Sequence, residues 1–76
     1  MDVKEIVYRI LQAIHNGEKN ITADNLEIDE KTFRGLCELI EDNNWAVGID
    51  CQYFEVDFSN AKVTNAGRNY LMKKSI

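Results

Sequence analysis

Residues 61–74, AKVTNAGRNYLMKK, pass from an extended run into a helix within a few positions, and this ending restricts the fold most. Val63 closes the extended run. Thr64 carries a hydroxyl suited to capping the helix that follows. Ala66, Tyr70 and Leu71 then fall at helical spacing, with Arg68 and Lys73 pointing elsewhere. A strand that feeds a capped terminal helix needs earlier elements to pack on, and the rest of the chain supplies them in a definite order.

The first helix is expected from Asp2 to Asn16. Val3, Ile6, Val7, Ile10, Leu11 and Ile14 make one wide apolar stripe at the helical period. Asp2 is the N-cap candidate, Glu5 follows at capping-box spacing, and Gly17 is suited to the left-handed C-terminal stop. Ile21 and Thr22 read as a short extended step. Thr22 or Asp24 then caps a brief helical turn through Leu26, and Ile28 anchors the segment. Asp29 opens a second long helix with Phe33, Leu36, Cys37 and Ile40 inside and Leu39 widening the stripe. That helix stops at Asn43 and Asn44, since Asn tolerates the left-handed conformation. Gly35, inside the helix, costs roughly 1 kcal/mol relative to Ala, which suggests close approach of another element.

Trp45, Val47 and Ile49 alternate as a half-buried strand does, and Phe54, Val56 and Phe58 alternate again. Asp50–Gln52 and Ser59–Asn60 are the turns, and Ala61–Val63 returns as a short strand. The last helix runs from Asn65 to about Lys73. Helix, short step, helical turn, helix, hairpin and helix make an α+β winged helix-turn-helix, with a small antiparallel β-sheet and a C-terminal helix. The 76 residues form one domain, with no linker, repeat or proline.

Composition narrows the function. The formal charge is −4, the wrong sign for holding nucleic acid by nonspecific charge alone. No apolar run approaches the roughly 20 residues of a membrane span, and the acidic start is unlike a signal peptide. A cytoplasmic protein is expected. Cys37 reads as a core residue and Cys51 as a turn thiol. A disulfide between them is not expected in a reducing compartment. There is no cysteine or histidine spacing for a metal, no glycine loop for phosphates and no nucleophile–base order. His15, the only histidine, suits the negative end of the first helix. No enzyme activity, cofactor or metal is therefore expected.

The chain also resembles a known family over essentially its whole length. IVYRILQAIHNG, the short polar step, Phe33 with Leu36–Ile40, Trp45–Ile49 and the VTNAGRNYL ending are similar to the YjcQ family of small winged-helix proteins. The resemblance implies a winged-helix fold and an origin in Gram-positive bacteria and their prophages. It brings no enzymatic motif.

Two functional expectations follow. In the first, the helix from Asp29 is a recognition helix in the major groove of double-stranded DNA, and the protein is a transcriptional regulator. Lys31, Thr32 and Arg34 then approach base edges, with Arg34 suited to a bidentate guanine contact. Lys19, Lys62 and Arg68 meet phosphates. Glu30, Glu38, Glu41 and Asp42 on the same helix, and a wing from Asp50 to Asp57 without Lys or Arg, oppose this. In the second, Glu38, Glu41, Asp42, Asp50, Glu55 and Asp57 make one acidic surface. It engages a basic host nucleic-acid-binding protein by mimicking phosphates. Self-association into a homodimer through the first helix or the Tyr70–Ile76 end is a further expectation.

Overall fold

A computed structural model describes residues 2–18, 20–51 and 56–74. The order is α1 (Val3–His15), α2 (Glu30–Asp42), β1 (Ala46–Val47), β2 (Lys62–Val63) and α3 (Asn65–Lys74). The strands pair antiparallel, Ala46 with Val63 and Val47 with Lys62. The architecture is α+β in a winged-helix layout.

α1 forms where its stripe dictates. Ile6, Val7, Ile10, Leu11 and Ile14 are buried, and the Asp2 carboxylate accepts from the N–H groups of Lys4 and Glu5. Val3, at the edge of the stripe, stays largely exposed. The helix ends as its glycine requires. Gly17 has φ +82°, its N–H reaches the Ile14 carbonyl, and the Glu18 N–H reaches that of Ala13. α2 closes by the same device with Asn44 at φ +57°, its N–H on Glu41 and the Trp45 N–H on Ile40. Between the helices, Thr22 caps a single turn by accepting from the Asn25 N–H at 3.1 Å. Glu27, at φ +58°, ends that turn in the conformation that glycine adopts most cheaply.

The core lies where α1 and α2 meet the hairpin. Phe33, Leu36, Cys37 and Ile40 from α2 join the α1 stripe, and Phe58 comes in from the second arm. The Phe33 and Phe58 rings are tilted with centroids 6.0 Å apart. A buried side chain of this size contributes roughly 1.5–3 kcal/mol, so this small set of residues carries most of the hydrophobic stabilisation. Leu39 does not join them. It lies on the outer side of α2 and is 39% exposed.

The hairpin departs from the expected pattern. Ala46 and Ile49 are buried while Val47 is 49% exposed, so the inward phase is Ala46, not Val47. Gly48 is the reason. Its φ of +80° breaks the pleat between Val47 and Ile49, and a Cβ there would stand 2.2 Å from the Asn60 carbonyl oxygen. The chain also makes a turn at 58–61, with the Ala61 N–H on the Phe58 carbonyl, and this adds residues to one arm. A single bridge, Asp50 to Asp57, continues the pairing beyond it. The Phe54 and Glu55 positions of the expected middle strand lie outside the described residues.

α3 turns inward through Gly67, Tyr70 and Leu71, with Ala66 exposed. Tyr70 packs on Trp45 with centroids 4.6 Å apart and donates its hydroxyl to the Lys4 carbonyl at 3.2 Å. The terminal helix is thereby fastened to the residue that leads into β1 and to the start of α1. Gly35, by contrast, is exposed, and a Cβ on it would meet nothing within 4 Å. Among the described residues no element approaches it, contrary to the expectation from sequence.

Candidate interaction surface

The first turns of α2 hold three residues expected to read bases, and each is used differently. Asp29 caps the helix. Its carboxylate accepts from the Thr32 hydroxyl at 2.5 Å and the Thr32 N–H at 3.2 Å. Those bonds, the hydroxyl first, hold the Asp29 carboxyl below its usual range. Thr32 is half-buried and its hydroxyl proton is committed to the cap. Lys31 is exposed.

Arg34 is folded back on the protein. Its Nε lies 3.5 Å from a Glu30 carboxylate oxygen, and a terminal nitrogen donates to the Cys51 carbonyl at 2.9 Å. The side chain is 28% exposed. A guanidinium held this way latches the wing to α2, and a bidentate guanine contact would require it to leave. The Glu30–Arg34 spacing of four residues on a helix signals the ion pair in sequence. The backbone carbonyl it also binds leaves no such signal.

The remaining predicted cations lie elsewhere. Lys62, on β2, is exposed and shares a hollow with His15 and Arg68 at the C-terminal end of α1. Arg68, on α3, donates to the Asn65 side-chain oxygen at 2.6 Å. Lys19 lies outside the described residues.

The acids converge around Cys51. Its thiol lies 3.9 Å from a Glu41 carboxylate oxygen. Burial raises its pKa first, the charges of Glu41 and Glu38 raise it further, the Arg34 guanidinium lowers it, and Asp50 adds a smaller rise. Three carboxylates from the end of α2 and the start of the wing thus act on one point. Asp50 and Asp57 exchange backbone hydrogen bonds of 3.0 and 2.8 Å, which brings the second arm of the wing to the same edge. The Asp57 carboxylate turns back to accept from the N–H and hydroxyl of Ser59. Asp42 is exposed at the end of α2, and Glu55 lies outside the described residues. The sequence expectation of one acidic surface from Glu38, Glu41, Asp42, Asp50, Glu55 and Asp57 did not point to Cys51, about which Glu38, Glu41 and Asp50 lie.

Among the described residues, no three of His, Cys, Asp and Glu are placed to hold a metal ion, and no helix is long and apolar enough to cross a membrane.

A helical pair, a short hairpin and a capped closing helix, with a charged α2–wing edge, define a small winged-helix protein. The model of the YjcQ protein family matches residues 4–76, and the chain belongs to that family. No curated protein and no solved structure matches the chain.

Proposed function

We propose that this chain is a non-catalytic winged-helix interaction module of the cytoplasm. In this reading the end of α2 and the wing present carboxylates to a basic partner, standing in for nucleic-acid phosphates. The observation that carries the reading is the position of Arg34. The arginine of α2 is engaged by Glu30 and the Cys51 carbonyl, while Glu38, Glu41 and Asp50 surround the same junction. Carboxylates at the wing repel a phosphate backbone and attract cationic side chains. The prophage origin that the family resemblance implies fits an adaptor or inhibitor acting on a nucleic-acid-binding protein of the host.

The test is capture of basic proteins from a bacterial lysate by the immobilised chain, beside the Glu38→Gln, Glu41→Gln, Asp50→Asn triple variant. The expected result is a salt-eluted DNA-binding protein held by the natural sequence, lost from the variant, and released by added duplex. Equal capture by both proteins would count against the reading.

Direct binding of duplex DNA by a transcriptional regulator is the second reading. It is favoured by Lys31, exposed at the first turn of α2, where a recognition helix meets base edges. Lys62 and Arg68 are then the phosphate contacts.

A further inference from the structure

Between α1 and α3 runs a groove of about 480 Å³, lined by Tyr8, Gln12, His15, Arg68, Leu71 and Met72 among others. Among the described residues no carboxylate lines it. Met72 is 66% exposed, the most of any large apolar residue described. Residues 60–76 carry Lys62, Arg68, Lys73 and Lys74 and no acid, whereas residues 20–59 carry ten acids against Lys31 and Arg34. Of these four cations, Arg68 lines the groove.

The outer side of α2 is apolar and acidic where the groove is apolar and carries Arg68. Leu39 is 39% exposed with Glu38 beside it, and Asp42 is exposed three residues on. One turn before Leu39, Gly35 adds no side chain and stands in open space, so the helix backbone is accessible to a close neighbour.

We infer that the outer face of α2 in one copy docks in the α1–α3 groove of a second copy. Leu39 lies against Leu71 and Met72, and Glu38 and Asp42 pair with Arg68 and His15. The contact joins two different surfaces, so it is heterologous and leaves a free groove and a free face at the ends of each dimer. It needs no foreign partner and so does not rest on the function proposed above. It does cover Glu38, so self-docking and partner binding compete for the same acidic edge.

Sedimentation velocity of the full chain at low salt tests this. The average mass is expected to rise with concentration. It should fall back towards the monomer as salt shortens the Debye length from about 10 Å at 0.1 M towards 3 Å at 1 M. Met72→Glu spoils the groove and Leu39→Lys spoils the face. Each variant alone is expected to be monomeric with an unchanged circular dichroism spectrum. Mixed one to one, they are expected to form dimers, because each retains the half the other has lost. If either variant fails to fold, the exposed pair Arg68→Glu and Glu38→Lys repeats the mixing test by charge alone. A natural chain that stays monomeric at every concentration overturns the inference. So does loss of assembly in the groove variant with none in the face variant, which would mean groove against groove, and so does a mixture that stays monomeric.

Discussion

The hydroxyl of Thr64 donates its proton to the carbonyl oxygen of Asn44, twenty residues earlier in the chain. The Thr64 hydroxyl oxygen in turn accepts from the Gly67 N–H at 3.1 Å, and the Thr64 N–H donates to the Trp45 carbonyl at 3.0 Å. One residue thus caps α3 and ties it to the joint that ends α2 and begins β1. Thr64→Ala is expected to cost about 1–2 kcal/mol, the range for losing a cap together with a hydrogen bond, and Thr64→Ser to retain most of it. Gly67 completes the joint, since a Cβ there would stand 1.9 Å from the Trp45 carbonyl oxygen. Gly67→Ala is expected to cost about 1–3 kcal/mol through forced displacement of α3. Urea unfolding of the three variants measures both effects.

Gly35 should behave in the opposite way. Its surroundings are open, so only its weak helix propensity matters. Gly35→Ala is expected to raise stability by about 1 kcal/mol, visible as a higher urea midpoint at unchanged slope. A lower midpoint would mean that the position is packed after all.

Arg34 is expected to act as a latch. Arg34→Met removes the donor to the Cys51 carbonyl and should cost about 1–2 kcal/mol. Its signature is local: the Asp50 and Asp57 amides should exchange faster, while those of α1 keep their protection. Uniform loss of protection would indicate a role in the core instead.

The thiols give a pH dependence of definite sign. Burial pushes Cys37 up to about 12 from an ordinary value of 9.0, with the charges of Cys51, Glu41 and Glu30 adding to it. Cys51 is also raised, by burial first and then by the charges of Glu41 and Glu38. A group whose folded pKa is raised holds its proton more tightly in the folded state. The stability it contributes is therefore complete below pH 9.0 and falls as pH climbs towards about 12. Thermal melts should show that decline. At mildly alkaline pH a disulfide reagent should label Cys51 more slowly than free cysteine, and Cys37 only as fast as the protein unfolds. Glu41→Gln should speed the Cys51 reaction.

The helices were legible because burial on a helix leaves a 3.6-residue period, and Ile6–Ile14 and Phe33–Ile40 show it plainly. The caps at Asp2, Asp29 and Thr64 were legible because capping demands particular side chains at particular spacings. The hairpin was less so. A paired stretch of two residues is too short to show alternation, and the positive φ of Gly48 shifts the phase between Ala46 and Ile49. Leu39 and Val3 sat at the edges of apolar stripes, where composition alone does not separate core from rim. At the interaction surface, Lys31 and Arg34 both read as base-contacting cations, and the spacing to Glu30 signals only half of what holds Arg34. Only the fold separates an exposed cation from one that holds a backbone carbonyl of the wing.

In the proposed reading this winged helix presents carboxylates at its α2–wing edge, where Glu30 and the Cys51 carbonyl hold Arg34. The most direct test is anisotropy of a labelled random-sequence duplex titrated with the protein at about 50 mM salt, where phosphate contacts are strongest. The account predicts no binding, and none gained or lost in Lys31→Ala. Binding that weakens steeply with salt and disappears in Lys31→Ala would contradict it and make the protein a DNA-binding winged helix.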